Sequence, residues 1–335
     1  MNTLNKIKIK KGYGLFGKKE QSLQKLYGTA EQKIVKEIIR QNKNGRKDFT
    51  NIQNSFEIQK ILNKLISYSS KISEEMVKEQ FIIGRKKARI NSKKVPESYN
   101  NSLEVLSDSL QGKVLTSINV IKNNLRIAWN DALSKNKNDI DKASEYFINT
   151  LKNKGTTAFV DKLGRKWNIK SYFDMVSKTT SLQATNLGTL SEDWDLYLMS
   201  SHPTACPICK PLQGRVYSKS GKNKKYPPLA SIFGKIDKYG PDTLENTYLC
   251  IHPNCMHKLT KFKESGLTPK QVKEIQEKSS FTKSPPKIPE KSKKEISEYQ
   301  KKTKSEIEMK KRYDQFVKLQ QKKLRENIKF NVEYG

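Results

Sequence analysis

Residues 101–133 read NSLEVLSDSLQGKVLTSINVIKNNLRIAWNDAL. Leu103, Leu106, Leu110, Val114, Ile118, Ile121, Leu125 and Trp129 recur at three- and four-residue intervals, which draws one apolar stripe along a helix of 3.6 residues per turn. A stripe this long buries itself in a core, and it sets the class as mainly α. The same period runs on either side. Leu23, Leu26, Ile34, Ile38 and Ile39 predict a helix from about Lys19 until NKNGRKDFTN breaks it. Ile58, Ile61, Leu62 and Leu65 predict a second over about 55–68. A third, SEEMVKEQFIIGRKKARI, is predicted to open at Ser73, a residue type suited to an N-cap with acidic residues in the first turn. A shorter pattern covers about 139–151. Residues 19–155 are therefore expected to form an α-helical domain, with 1–18 a flexible basic arm.

Beyond it the pattern changes. NIKSYFDMVSKTTSLQATNLGTL reads as one more helix, and DWDLYLMSS then alternates apolar and polar in the manner of a strand. GRVYS can pair with it as a hairpin whose turn carries Cys206 and Cys209. Residues 156–262 thus read as a small α+β module. From 263 to 335 the chain is mostly Lys, Glu, Gln and Ser, with helical spacing from Ile296 to Leu324, and a projecting Lys-rich helical tail is expected.

The balance of 66 Lys+Arg against 34 Asp+Glu leaves a formal charge of +32 on 335 residues. A field of that size concentrates polyanions and weakens as salt rises, the behaviour of non-specific nucleic-acid binding. With 34% hydrophobic and 30% charged residues, the composition speaks against a compact doubly wound enzyme. No run approaches the roughly 18 apolar residues of a membrane span, and the first residues lack an apolar signal segment, so synthesis in a reducing cytoplasm and no membrane partner are expected.

The chemistry concentrates in one place. Cys206, Cys209, Cys250 and Cys255 are the only cysteines, and His202, His252 and His257 the only histidines; all seven fall between residues 202 and 257. C-x2-C and H-x2-C spacings put thiolates and imidazoles on tight turns where they can close a tetrahedron around zinc. The preferred set is Cys206, Cys209, His252 and Cys255, with Cys250 and His257 as alternates. A disulfide is disfavoured in a reducing compartment, and unligated buried cysteines are the other alternative. A hydrolytic metal site is a further alternative, with His202 and His257 as a nuclease pair near Glu192, Asp193 and Asp195. No H-E-x-x-H or P-loop pattern supports it.

The span from Asp161 to about Leu259 resembles tailed-phage minor capsid proteins. Gly164, Arg165 and Trp167 match a glycine-arginine-x-tryptophan strand leading into a helix with Tyr172, Met175 and Thr179. SSHP, QGRVYS and the closing Asn254, Cys255 and His257 follow in the order of the phage minor capsid protein 2 family. The C-P-x-C knuckle with a later H-P-N-C is similar to the related Mu-type head-morphogenesis proteins. Two departures concern the metal: Met256 stands where the family has Arg, and that family often has Arg and His around positions 206 and 209.

The resemblance implies a structural virion protein and no enzyme. Its expected partners are the portal protein, the major capsid protein and double-stranded DNA bound without sequence preference. Its expected place is the capsid interior near the portal, after assembly in the host cytoplasm, with a role in head assembly or in genome packaging and ejection. Structural zinc is the expected cofactor.

Overall fold

A computed structural model describes residues 18–90, 94–161 and 164–287. The expected basic arm, apart from Lys18, and the tail from residue 288 onward lie outside the described residues. The chain divides into two compact units, one of 1–205 with 212–286, the other of 206–211 with 287–335.

The first unit is mainly helical. Its helices are α1 (Lys18–Lys43), α2 (Phe56–Lys87), α3 (Asn100–Lys135), α4 (Ile140–Lys154), α5 (Ile169–Leu190) and α6 (Pro269–Ser279). The stripe that set the class is the buried face of α3: Leu103, Leu110, Val114, Ile121, Leu125 and Trp129 join one core with Leu23, Ile34 and Ile38 of α1 and Phe81 of α2. Several helix ends have a local reason. After α1, Gly45 takes φ +83° and Arg46 N–H reaches back to the Gln41 carbonyl at 3.0 Å, closing the helix with a left-handed residue. Asp139 caps α4 by accepting from Lys142 N–H at 3.1 Å, and Asn168 caps α5 by accepting from Ser171 N–H at 2.8 Å.

The break expected before Ser73 does not occur, and α2 runs unbroken for 32 residues. No Gly or Pro interrupts SYSSKIS. Ser73 is fully buried on the inner face, where its hydroxyl donates to the Ser69 carbonyl at 2.6 Å instead of capping a new helix.

The last helix of the main core, α5, is buried at every residue but Leu187 from Thr179 onward, although TTSLQATN is polar. Small side chains let neighbours approach its backbone. It crosses α2 where Gly84 and Gly188 meet: a Cβ on Gly84 would strike the Thr185 carbonyl, and one on Gly188 the Phe81 carbonyl.

Two small sheets complete the unit. Strands β1 (Thr157–Val160) and β2 (Lys166–Asn168) pair antiparallel ahead of α5. A second sheet has the order β4-β3-β5, from β3 (Leu196–Met199), β4 (Val216–Ser218) and β5 (Leu259–Lys261). Its β3–β4 pairing sets Leu196 opposite Ser218, which is the expected hairpin. The outer strand β4 is covered by α6, where the Ser279 hydroxyl accepts Val216 N–H at 3.0 Å. Leu198, Val216, Tyr226, Phe262 and Ile275 form a separate small core there.

Of the second unit, the described residues are Cys206–Pro211 and Lys287. Cys206–Pro211 is a tight turn: Lys210 N–H donates to the Cys206 carbonyl at 2.9 Å, and Cys209 N–H donates to Cys206 Sγ at 3.4 Å.

Candidate metal centre

The loop that carries Cys250, His252, Cys255 and His257 is held by α5. Asn186 Nδ2 donates to the Leu249 carbonyl at 2.7 Å, and the Thr179 hydroxyl accepts Asn254 N–H at 2.9 Å. Leu249 and Asn254 both have positive φ, 52° and 63°, so the loop turns sharply at each anchor. Polar residues on a buried helix thus have a purpose that hydropathy does not register: they fasten an irregular segment whose backbone groups need partners.

The hydrogen bonds also fix which nitrogen of each imidazole is available. In His252, Nδ1 lies 2.7 Å from the Pro253 carbonyl and must donate to it, which leaves Nε2 with its lone pair. In His257, Nε2 lies 3.1 Å from Gln213 Oε1, so Nδ1 carries the lone pair and faces Cys255 Sγ at 3.6 Å. A zinc ion with a Zn–S bond of about 2.3 Å and a Zn–N bond of about 2.05 Å would set two tetrahedral ligands about 3.6 Å apart. Cys255 and His257 already stand at that separation, both buried.

Gln213 is the residue the sequence reading did not identify. Its Oε1 accepts His202 N–H at 2.8 Å as well as facing His257, so one amide oxygen orients two histidine positions. Its only sequence signal is its place in QGRVYS. His202 completes the cluster: its Nε2 is 3.0 Å from the Ser200 hydroxyl, and its ring meets that of His257 edge-on at 4.8 Å. Burial, with His257 beside it, holds His202 below the usual histidine range.

In the turn Cys206–Pro211, the N–H of Cys209 points at Cys206 Sγ, which fixes the direction of that side chain. Residues that could hold a metal ion occur in each unit, Cys206 and Cys209 in the turn of the second and His252, Cys255 and His257 in the first. No disulfide joins any of the four cysteines. Cys250 is not among those residues. Burial pushes its thiol up to about 12, with Cys255 adding to the effect, so it keeps its proton at neutral pH.

The nearby carboxylates have structural employment. Burial alone would raise Asp195, but Ser220 N–H at 2.7 Å and the Ser218 hydroxyl at 2.9 Å hold it below the usual carboxylate range. Glu192 pairs with Lys261. No described helix is long and apolar enough to cross a membrane.

Comparison with known proteins agrees with the motifs. A structural protein of Lactococcus phage LL-H is 31% identical over 134 residues, covering 37% of this chain and 33% of that protein. The chain thus spans about a third of the length of the curated relative it matches. No solved structure matches the chain. The model of the family described as phage minor capsid protein 2 matches residues 14–329, nearly the whole sequence. With helix α5 and the Cys255–His257 pair both inside that match, the chain belongs to the phage minor capsid protein 2 family.

Proposed function

We propose that this minor capsid protein works inside the phage head as a DNA-facing structural component, docking on the portal and major capsid proteins during assembly. The observation that carries the reading is the formal charge of +32 in a member of a capsid family. Packed DNA is a dense polyanion, and lysines neutralise its phosphates without reading its bases. The test is binding to duplex DNA of mixed sequence across a salt series. Affinity should fall steeply with salt and show no sequence preference; binding indifferent to salt would sink the reading.

Zinc is the staple we assign to the Cys/His loop. Cys206, Cys209 and Cys255 supply thiolates, and the 3.6 Å approach of His257 Nδ1 to Cys255 favours His257 over His252 as the imidazole ligand. A module with a small core gains folding free energy from such an ion. Metal content of the purified chain should be about one zinc, lost in His257→Ala and kept in His252→Ala. The reverse pattern would return the fourth position to His252.

One observation keeps a second reading open: His202 and His257 lie in ring contact, as a pair of nuclease histidines would. Divalent-metal-dependent cleavage of DNA that disappears in His202→Ala would establish it. Intact DNA after prolonged incubation with Mg²⁺, Mn²⁺ or Zn²⁺ would remove it.

A further inference from the structure

A small, half-open pocket lies among α1, α2, α5 and the loop ahead of β5. Amines from three elements line it: Lys87 of α2, Lys178 of α5 and Lys258 beside β5. Lys87 and Lys258 are within hydrogen-bond reach of each other, an arrangement that two ammonium groups oppose. Partial burial of its amine, with Lys258 beside it, draws Lys87 down to about 8.

The cavity wall adds a second, independent demand. Gln80 is 4% exposed; its Oε1 accepts the Thr185 hydroxyl at 3.1 Å, while its Nε2 has no partner. Buried amide N–H groups without an acceptor are rare because each costs on the order of 1–3 kcal/mol. The acid in the cavity does not meet either demand. Glu20 is 1% exposed, and burial raises its carboxyl to about 7 against the opposing hydrogen bond from Ser181. Near neutral pH it can offer a proton as readily as a charge.

We infer that this cavity binds a phosphate group, held between the amines of Lys87 and Lys258 with the Gln80 amide contributing a donor. Phosphate suits the three groups together. Its negative charge relieves the repulsion of the paired amines, and its oxygens accept from ammonium and amide N–H alike. Protonated Glu20 can donate to a fourth oxygen. The phosphate can come from two sources, the free ion or the phosphodiester backbone of nucleic acid. The site adjoins the zinc assignment, since Cys255 also lines the pocket, but its own donors are lysines and an amide.

The test uses the full chain as purified. Inorganic phosphate is titrated at constant ionic strength, with chloride as the reference, following thermal unfolding and the phosphorus-31 NMR linewidth. The melting temperature should rise saturably with phosphate and not with chloride, and the phosphate signal should broaden. Lys87→Met should raise the half-saturating phosphate concentration about tenfold or more. In phosphate-free buffer it should melt no lower than wild type, because one of two repelling charges has gone. Lys258→Met serves as the second variant and should behave alike. Equal stabilisation of wild type and both variants by phosphate would overturn the site, as would no response in wild type. Short duplex DNA added to the phosphate-saturated chain separates the sources: sharpening of the phosphorus signal of the ion identifies the backbone phosphodiester as the ligand, and an unchanged signal identifies the free ion.

Discussion

The hydroxyl of Thr179 accepts the backbone N–H of Asn254 at 2.9 Å and donates to the Met175 carbonyl at 2.7 Å. One side chain on α5 therefore joins residues 75 positions apart, and the joined segment is the one that carries the Cys255–His257 pair. The family motif names both ends of this contact, and the fold explains why they belong together.

Thr179→Val keeps the shape and removes the acceptor. The Asn254 N–H is then left without its partner, and the chain should lose about 1–3 kcal/mol of stability. Thr179→Ser should retain most of it. Denaturant unfolding of the three chains decides; equal midpoints for Val and Thr would mean that the loop is fastened elsewhere.

At the α2–α5 crossing, Gly84→Ala or Gly188→Ala puts a methyl group into an opposing carbonyl. The helices must separate, at a cost of about 3 kcal/mol or more. Gly112→Ala is the control, because that α3 glycine has open space around it and alanine is the better helix former, worth up to about 1 kcal/mol. Thermal melting should move in opposite directions for the two kinds of variant.

Cys209 is one of the thiolates assigned to the zinc, and Cys250 is not among the residues that could hold it. Cys209→Ser should expel zinc and lower the melting temperature, whereas Cys250→Ser should keep the metal. Elemental analysis by mass spectrometry beside a melting curve reads both. Zinc retained by Cys209→Ser would contradict the staple.

Glu20 makes stability depend on pH in a direction that follows from its burial, which, with the charge of Glu79 adding to it, outweighs the hydrogen bond from Ser181 and the charges of Lys178 and Lys258. Its folded-state carboxyl lies at about 7, above the ordinary value of 4.5, so the folded chain holds a proton that the unfolded chain has released between those values. Stability should fall as pH rises from about 4.5 to 7 and stay level above. Glu20→Gln should change little at about pH 4 and stabilise by roughly 2–3 kcal/mol at about pH 8. A gain that did not vary between those two conditions would refute the account.

How much of this was legible in the sequence depends on whether apolar side chains did the packing. The eight-residue stripe picked out on α3 is that helix's inner face, and β3 (Leu196–Met199) falls within DWDLYLMSS, which reads as a strand from its alternation although LYLM itself is apolar throughout. Ser73 misled because a serine ahead of two glutamates looks like a cap, yet a helix already under way can absorb the hydroxyl by bonding it four residues back. The near-complete burial of α5 from Thr179 onward was not legible, since Ser, Thr, Asn and Gln carry no hydropathy signal for an interior position. At the site, clustering singled out the cysteines and histidines. The role of Gln213 and the choice of nitrogen in His257 depend on contacts between residues 44 positions apart, which spacing along the chain does not encode.

From Thr179 onward, α5 has almost no face on which a larger residue can be accommodated. Its mutational tolerance should therefore be the lowest among the described helices, with changes confined to exchanges among the smallest side chains or to paired changes on α2. Kinship between distant members of this family should accordingly stay readable along α5 after the solvent-facing helices have drifted beyond recognition.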